Sequence, residues 1–356
     1  MAARRKIGVL TFHRCINYGS YWQARCLVEG LRSVGHDAEL LDHDCPRINY
    51  VEWRCSLQPT LPQPTPRSEW SRYKEKARKF FAAFERLPMS RRFSLYDPSP
   101  LDEYEAVVVG SDEVWNLKHP WYGQKHLFYG DGLKTERLVS YAASFGNHDA
   151  DEGLDDYWAD RIRGFDAVSV RDQNSLALVR GHVGVEPELV LDPCLQFPEV
   201  IRAAAAKDEE PYALVYGHGF PDWLGPALRR WSADAVVRLV SVGYGSPFAD
   251  ESRISAGPLE FAGLVAGAQA VVTNFFHGCV FALLNGKPFV SVPTPYRYNK
   301  VRDLTAKLGA ERHLLWEEPE PRRLAELLGG PPEQGVADRI NDYRARSAGF
   351  LHAALA

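Results

Sequence analysis

Short apolar runs that end in a small or polar loop and pass into an amphipathic helix recur along this chain. That alternation constrains its fold more than any other feature. Residues 7–11 are the first such run, a short apolar stretch bounded by a polar loop and therefore suited to a buried parallel strand. The polar loop of residues 13–20 follows, and the spacing of Trp22, Cys26, Leu27 and Leu31 predicts a helix stopped at Gly35. Residues 38–41 predict the next strand. Strand, Gly-containing loop and helix open a doubly wound α/β sheet.

The pattern returns at residues 106–109 before Gly110-Ser111-Asp112, at 138–141 before residues 142–146, and at 167–170 before Arg171-Asp172. Residues 189–191 and Asp192-Pro193 close this half, with the proline as a hinge. A second series begins with a strand at 212–216, its loop 217–219 and a helix around 223–231. The strand 236–242, a helix through 259–266, the strand 270–273 and an apolar helix 279–284 follow. A chain of 356 residues is too long for one ordinary core. We expect domains at 1–195 and 196–335, and a C-terminal helix at 336–356 packing back on the first.

Between the series, residues 58–66 are proline-rich and read as a linker. Beyond them Trp70, Tyr73, Ala77, Phe80, Phe84 and Leu87 form one helical face, opposite Arg72, Lys74, Lys76, Arg78, Lys79 and Arg86. The plain reading is a basic face turned to solvent, on a segment (58–92) belonging to the N-terminal domain. The sharper one is a docking face for an anionic acceptor, such as a lipid-linked sugar diphosphate, in peripheral contact with a membrane.

A net charge of −4 excludes the global basic excess of a nucleic-acid binder. The six cysteines form no C-x-x-C pair, so no metal site is expected. No apolar stretch is long enough for a signal peptide or a membrane span, and a cytoplasmic location is expected. There is no G-x-G-x-x-G, so no dinucleotide is predicted, and there is no Walker loop or G-x-S-x-G; no cofactor is expected.

The candidate chemistry sits at strand ends. His277 and Gly278, after Asn274, open a predicted helix, where free N–H groups favour an anion and a histidine exchanges protons near neutral pH. Gly278 would let the backbone approach a ligand. Arg171 has the same placement in the first half; a guanidinium there grips a carboxylate or phosphate, or simply pairs with Asp172 or Asp192. Arg297, Lys300 and Arg302, with Asn299 among them, suit a phosphate site or a solvated loop. Trp115, Trp121, Tyr122 and Tyr244 are candidates for stacking on sugars or for packing.

Taken in order, several motifs resemble one family, the polysaccharide pyruvyl transferases. They are Asn17-Tyr18-Gly19-Ser20 with Gln23-Ala24, Gly110-Ser111-Asp112-Glu113-Val114-Trp115-Asn116, Tyr141-Ala142-Ala143-Ser144-Phe145-Gly146, Val168-Ser169-Val170-Arg171-Asp172, Val190-Leu191-Asp192-Pro193 and Thr273-Asn274-Phe275-Phe276-His277-Gly278. The resemblance implies a bacterial-type enzyme with two Rossmann-like domains facing a central cleft, a glycosyltransferase-B-like fold. It implies phosphoenolpyruvate as donor and co-substrate, and a pyruvate ketal on a carbohydrate as product. By position, His277 would be the acid/base and Arg171 a donor ligand. Gly278, Asn274, Arg297, Lys300 and Arg302 would complete the donor side. Asn17, Gly19, Ser20, Asp112, Trp115, Asn116 and Ser144 would serve the acceptor, which is a sugar, a lipid-linked saccharide or a glycosylated small molecule. Many members carry arginine where this chain has Phe275, and Arg297, Lys300 or Arg302 is expected to replace it. The alternatives are a sugar-nucleotide-dependent glycosyltransferase and a non-catalytic carbohydrate-binding homologue.

Overall fold

A computed structural model describes residues 4–59, 61, 63–202 and 210–356. Thr60 and Pro62 of the proline-rich stretch, and residues 1–3 of the basic N-terminus, lie outside the described residues. The chain divides into two compact units, one of residues 1–50, 86–200 and 340–356, the other of 51–85 and 201–339.

The first unit carries β1 (Lys6–Leu10), β2 (Asp37–Leu40), β3 (His43–Asp44), β4 (Phe93–Ser94), β5 (Ala106–Val109), β6 (Leu138–Ser140), β7 (Ser169–Val170) and β8 (Glu188–Leu189). Its main sheet runs β2-β1-β5-β6, with Ile7 opposite Ala38 on one side and Ala106 on the other. All pairings are parallel, and β3–β4 and β7–β8 form short ladders of their own. Because β1 after Lys6 and all of β5 are covered on both faces, their sequences are apolar runs rather than alternating ones. Helix Tyr18–Ser33 follows β1 and is capped by Asn17, whose Oδ1 accepts from the Gly19 and Ser20 amides.

The second unit repeats the plan with β9 (Tyr212–Tyr216), β10 (Arg238–Val242), β11 (Glu251–Arg253), β12 (Ala270–Thr273) and β13 (Phe289–Ser291), parallel in the order β11-β10-β9-β12-β13. Val215, Leu228, Trp231, Val272 and Leu324 build its core. Sequence reasoning missed β11, a half-buried edge strand whose Glu-Ser-Arg composition carries no apolar signal.

Two boundaries differ from expectation. Helix Trp70–Phe84 belongs with the second unit, where Lys79 pairs with Glu260 at 2.7 Å and Lys76 is buried. Position 76 lies three residues after Tyr73 and four before Phe80, on the same face as both buried rings, so the helix period carries it inward whatever its charge. The expected hinge at Pro193 is instead the first turn of helix Pro193–Gln196, capped by Asp192, and the division falls after Val200. The C-terminal helix, Gln334–Ala354, counts with the first unit from Ile340 onward; there Ser347 Oγ accepts from the Leu191 amide at 2.9 Å. Among the described residues, no helix is long and apolar enough to cross a membrane.

Candidate active site

In the first unit, the segments after β1, β5 and β7 are tied together by charge. Arg171, just beyond β7, is buried, and its guanidinium bonds Asp112 at 3.2 Å, Asp192 at 3.1 Å and the Ser111 hydroxyl at 3.3 Å. Burial disfavours the charge, yet the carboxylates of Asp112, Asp192 and Asp172 outweigh it and hold the guanidinium above its ordinary value. Of the two ion-pair partners considered from sequence, Asp192 is engaged directly. Asp172 instead caps the next helix, accepting from the Ser175 amide at 2.7 Å and from Ser144 Oγ at 2.6 Å. Asp112 also accepts from Ser20 Oγ at 2.8 Å, which brings the β1 loop to the same cluster.

The sequence-predicted acceptor residues separate on this geometry. Asn17, Gly19, Ser20 and Asp112 lie together, and Asn17 is exposed. Trp115 is fully buried among Tyr129, Phe145 and Phe165, and its indole N–H donates to Phe128 O at 3.0 Å. It is a core residue, and its side chain offers no face to a sugar. Asn116 is buried and bonds Glu113 and Asn147, while Ser144 is consumed by Asp172 and the Gly146 amide. Tyr122 is buried against Phe12, and Trp121 packs on the first unit's core.

A polar cluster that sequence reasoning did not foresee anchors the β1 loop. Buried His13 bonds Asp42 at 3.0 Å and Arg14 grips the same carboxylate at 2.6 and 2.8 Å, while His43 bonds Thr11 O at 2.9 Å. Burial, then the nearby His13, lower His43 to about 3, which keeps it neutral.

In the second unit, the segments following β9, β10, β12 and β13 approach one another. Phe275 precedes helix Phe276–Leu284, placing His277 and Gly278 in its first turn, and His277 is largely buried. A Cβ at Gly278 would overlap the side chain of Thr273, whose Oγ1 donates to Tyr216 O at 2.6 Å, so glycine there lets the helix start close against β12. Asn274 donates through Nδ2 to His218 O at 2.6 Å and so fixes the loop after β9.

The three candidate cations separate likewise. Arg297 lies with its guanidinium 4.4 Å from the centre of the Phe275 ring and bonds His218 Nε2 at 3.3 Å. Arg302 pairs with the adjacent buried Asp303 at 2.8 Å, and Lys300 lies over Tyr296. His218, Lys76 and Tyr244 complete this region: Lys76 Nζ donates to Gly243 O at 3.1 Å and sits 4.6 Å from the centre of the Tyr244 ring. The sequence signal for Lys76 was its place inside the apolar stripe; His218, between two glycines after β9, resembles an ordinary loop.

Among solved structures, the fold is similar to UDP-GlcNAc 2-epimerase from Neisseria meningitidis bound to UDP-GlcNAc, at 9% identity over 97% of this chain and 99% of that one, with a TM-score of 0.50. A putative UDP-N-acetylglucosamine 2-epimerase from Listeria monocytogenes gives 12% identity, 96% and 91% coverage and 0.47. The E. coli heptosyltransferase WaaC with ADP gives 12%, 82% and 88%, and 0.41. At these identities the likeness concerns the fold, an α/β architecture of two Rossmann-like units of the glycosyltransferase-B kind. No curated protein matches the sequence. The sequence profile of polysaccharide pyruvyl transferase matches residues 17–295, a span that runs from the Asn17 cap through the Arg171 cluster to the His277 helix and the β13 segment; the chain belongs to the polysaccharide pyruvyl transferase family.

Proposed function

We propose that this protein transfers the pyruvyl group of phosphoenolpyruvate to carbohydrate hydroxyls, forming a pyruvate ketal and releasing phosphate. The observation that carries the reading is the position of Arg297: its guanidinium covers the ring of Phe275, next to the place where many family members carry an arginine. The cation that the donor requires is thus supplied from the segment after β13, and Arg302, spent on Asp303, is not needed for it.

In this reading His277 donates a proton to the methylene carbon of the enol ester. C2 becomes electrophilic and a sugar hydroxyl adds to it, returning its proton to the imidazole. A second hydroxyl then forms the other C–O bond as the C2–O bond to phosphate breaks, and its proton leaves with phosphate. Arg297 and the N–H groups of the His277 helix stabilise the donor's carboxylate and phosphate. In the first unit, Asn17, Ser20 and Asp112 bind the acceptor, with Asp112 held in place by Arg171, which acts as a positioning residue. The acceptor is a sugar, a lipid-linked saccharide or a glycosylated small molecule.

The test is phosphate release from phosphoenolpyruvate across a panel of carbohydrate acceptors. Release with wild type, reduced by about 10²–10⁴ in His277→Ala, supports the reading. Undiminished release in that variant removes His277 from the chemistry.

A further inference from the structure

The segments after the four central and edge strands of the second unit gather around a row of rings, and a cation from a distant part of the chain lies against one end of it. Lys76, on helix Trp70–Phe84, is only 5% exposed, with Nζ bonded to Gly243 O and 4.6 Å from the centre of Tyr244. Tyr244 lies 5.0 Å from the His218 ring and 5.9 Å from Phe275. Arg297 bonds His218 and covers Phe275 at the other end of the row. Tyr244, His218, Phe275 and Arg297 are each partly exposed.

The two cations act on the histidine between them. Burial first, then Arg297 and Lys76, lower His218 to about 4. With Nε2 accepting from Arg297, its proton sits on Nδ1, so His218 is a neutral donor. Positive charge gathered at the carboxyl ends of parallel strands, where α/β sheets bind ligands, suits an anion.

We propose that Lys76 and Arg297 form a two-cation clamp for a phosphate- or carboxylate-bearing ligand, with Tyr244, His218 and Phe275 as its floor. The clamp rests on the donor reading for the identity of its natural anion, but not for its existence. It gives the inserted helix a purpose that its exposed residues Arg72, Lys74 and Arg78 do not share: it delivers one buried ammonium to the ligand-binding edge of the sheet.

The clamp is pH-dependent. Burial pushes the Lys76 ammonium down to about 7, so its charge is present in mild acid and lost above neutrality. Around it, Tyr244 is raised to about 12 and Tyr73 higher still, both mainly by burial, and His218 is already neutral. Lys79 of the same helix is held by Glu260, Glu69 at its start acts on Tyr73, and Glu52 and Cys55 of helix Pro46–Leu57 act on Tyr244.

The experiment is calorimetric titration of the full chain with inorganic sulfate, whose charge is constant from pH 6 to 8.5, and in parallel with phosphoenolpyruvate. Wild type is expected to bind sulfate about tenfold more weakly at pH 8.5 than at pH 6, following the loss of one charge. Lys76→Met should bind about tenfold more weakly at pH 6 and lose the slope, with folding checked by its thermal transition. Lys76→Arg should keep the affinity at both pH values, because its charge does not titrate, and it stands in if the methionine variant does not fold. Absence of sulfate binding to wild type, or an unchanged slope in the variants, overturns the clamp. Sulfate binding with the Lys76 slope but no phosphoenolpyruvate binding leaves the clamp standing and removes the donor reading; phosphoenolpyruvate binding together with sulfate binding indifferent to Lys76 does the reverse.

Discussion

Replacing Arg171 with methionine keeps most of the side-chain volume and removes its charge, which leaves Asp112 and Asp192 facing each other in the interior of the first unit. At 3.1–3.2 Å, each pair attracts by about 5 kcal/mol at an effective dielectric of about 20, before the cost of desolvating the ions. That cost offsets much of the attraction in the wild type. It is not recovered when one partner is deleted, so the expected net loss is about 3–5 kcal/mol. In a unit of this size that corresponds to a fall in its melting temperature of about 10 °C. The triple variant Arg171→Met, Asp112→Asn, Asp192→Asn removes all three charges and should regain most of the loss, because Ser20 Oγ and the Cys194 amide still find oxygen acceptors. Denaturant unfolding followed by circular dichroism reads both differences. Arg171→Met within about 1 kcal/mol of wild type, or a triple variant no more stable than the single one, would refute the view that this cluster is held by charge.

Asp42 supplies a pH-dependent counterpart. Burial opposes its ionisation, but the bonds from Arg14 and His13 win and hold its carboxyl well below the usual carboxylate range. Its folded-state value therefore lies below the unfolded value of about 3.9, so its stabilisation is fully present above about pH 5 and is lost as pH falls through the folded value. The stability gap between wild type and Asp42→Asn should be widest near neutrality and shrink below about pH 4, as measured by urea midpoints across that range; a constant gap would contradict it. Trp115→Ala should cost about 3–5 kcal/mol while leaving the acceptor KM of the folded fraction unchanged; a raised KM at unchanged stability would return Trp115 to the acceptor site.

The central parallel strands were legible because burial on both faces writes them as short, largely apolar runs; β9 and β12 lie at the residues expected. Their loops were legible for the same reason, since chemistry collects at strand ends. What stayed hidden depends on contacts between distant residues. Lys76 was read by its charge, while its place on the helix, in register with Tyr73 and Phe80, decided its burial. At Gly278 the need for glycine that the structure shows, room for Thr273, depends on a neighbour from β12 that the local sequence does not reveal. Trp115 sits inside a motif that carries the family resemblance, yet its contribution there is packing. The crossing of residues 51–85 into the second unit left no mark on local composition, because it is fixed by long-range partners such as Gly243 and Glu260.

Donor choice is read by calorimetric titration of the purified protein with phosphoenolpyruvate and, separately, with uridine diphosphate, repeated on Arg297→Ala. Saturable binding of phosphoenolpyruvate that weakens at least tenfold in the variant, with no uptake of the nucleotide, is expected of a pyruvyl transferase with Arg297 in its donor site. Tight binding of uridine diphosphate without phosphoenolpyruvate would contradict it and make the protein a sugar-nucleotide enzyme.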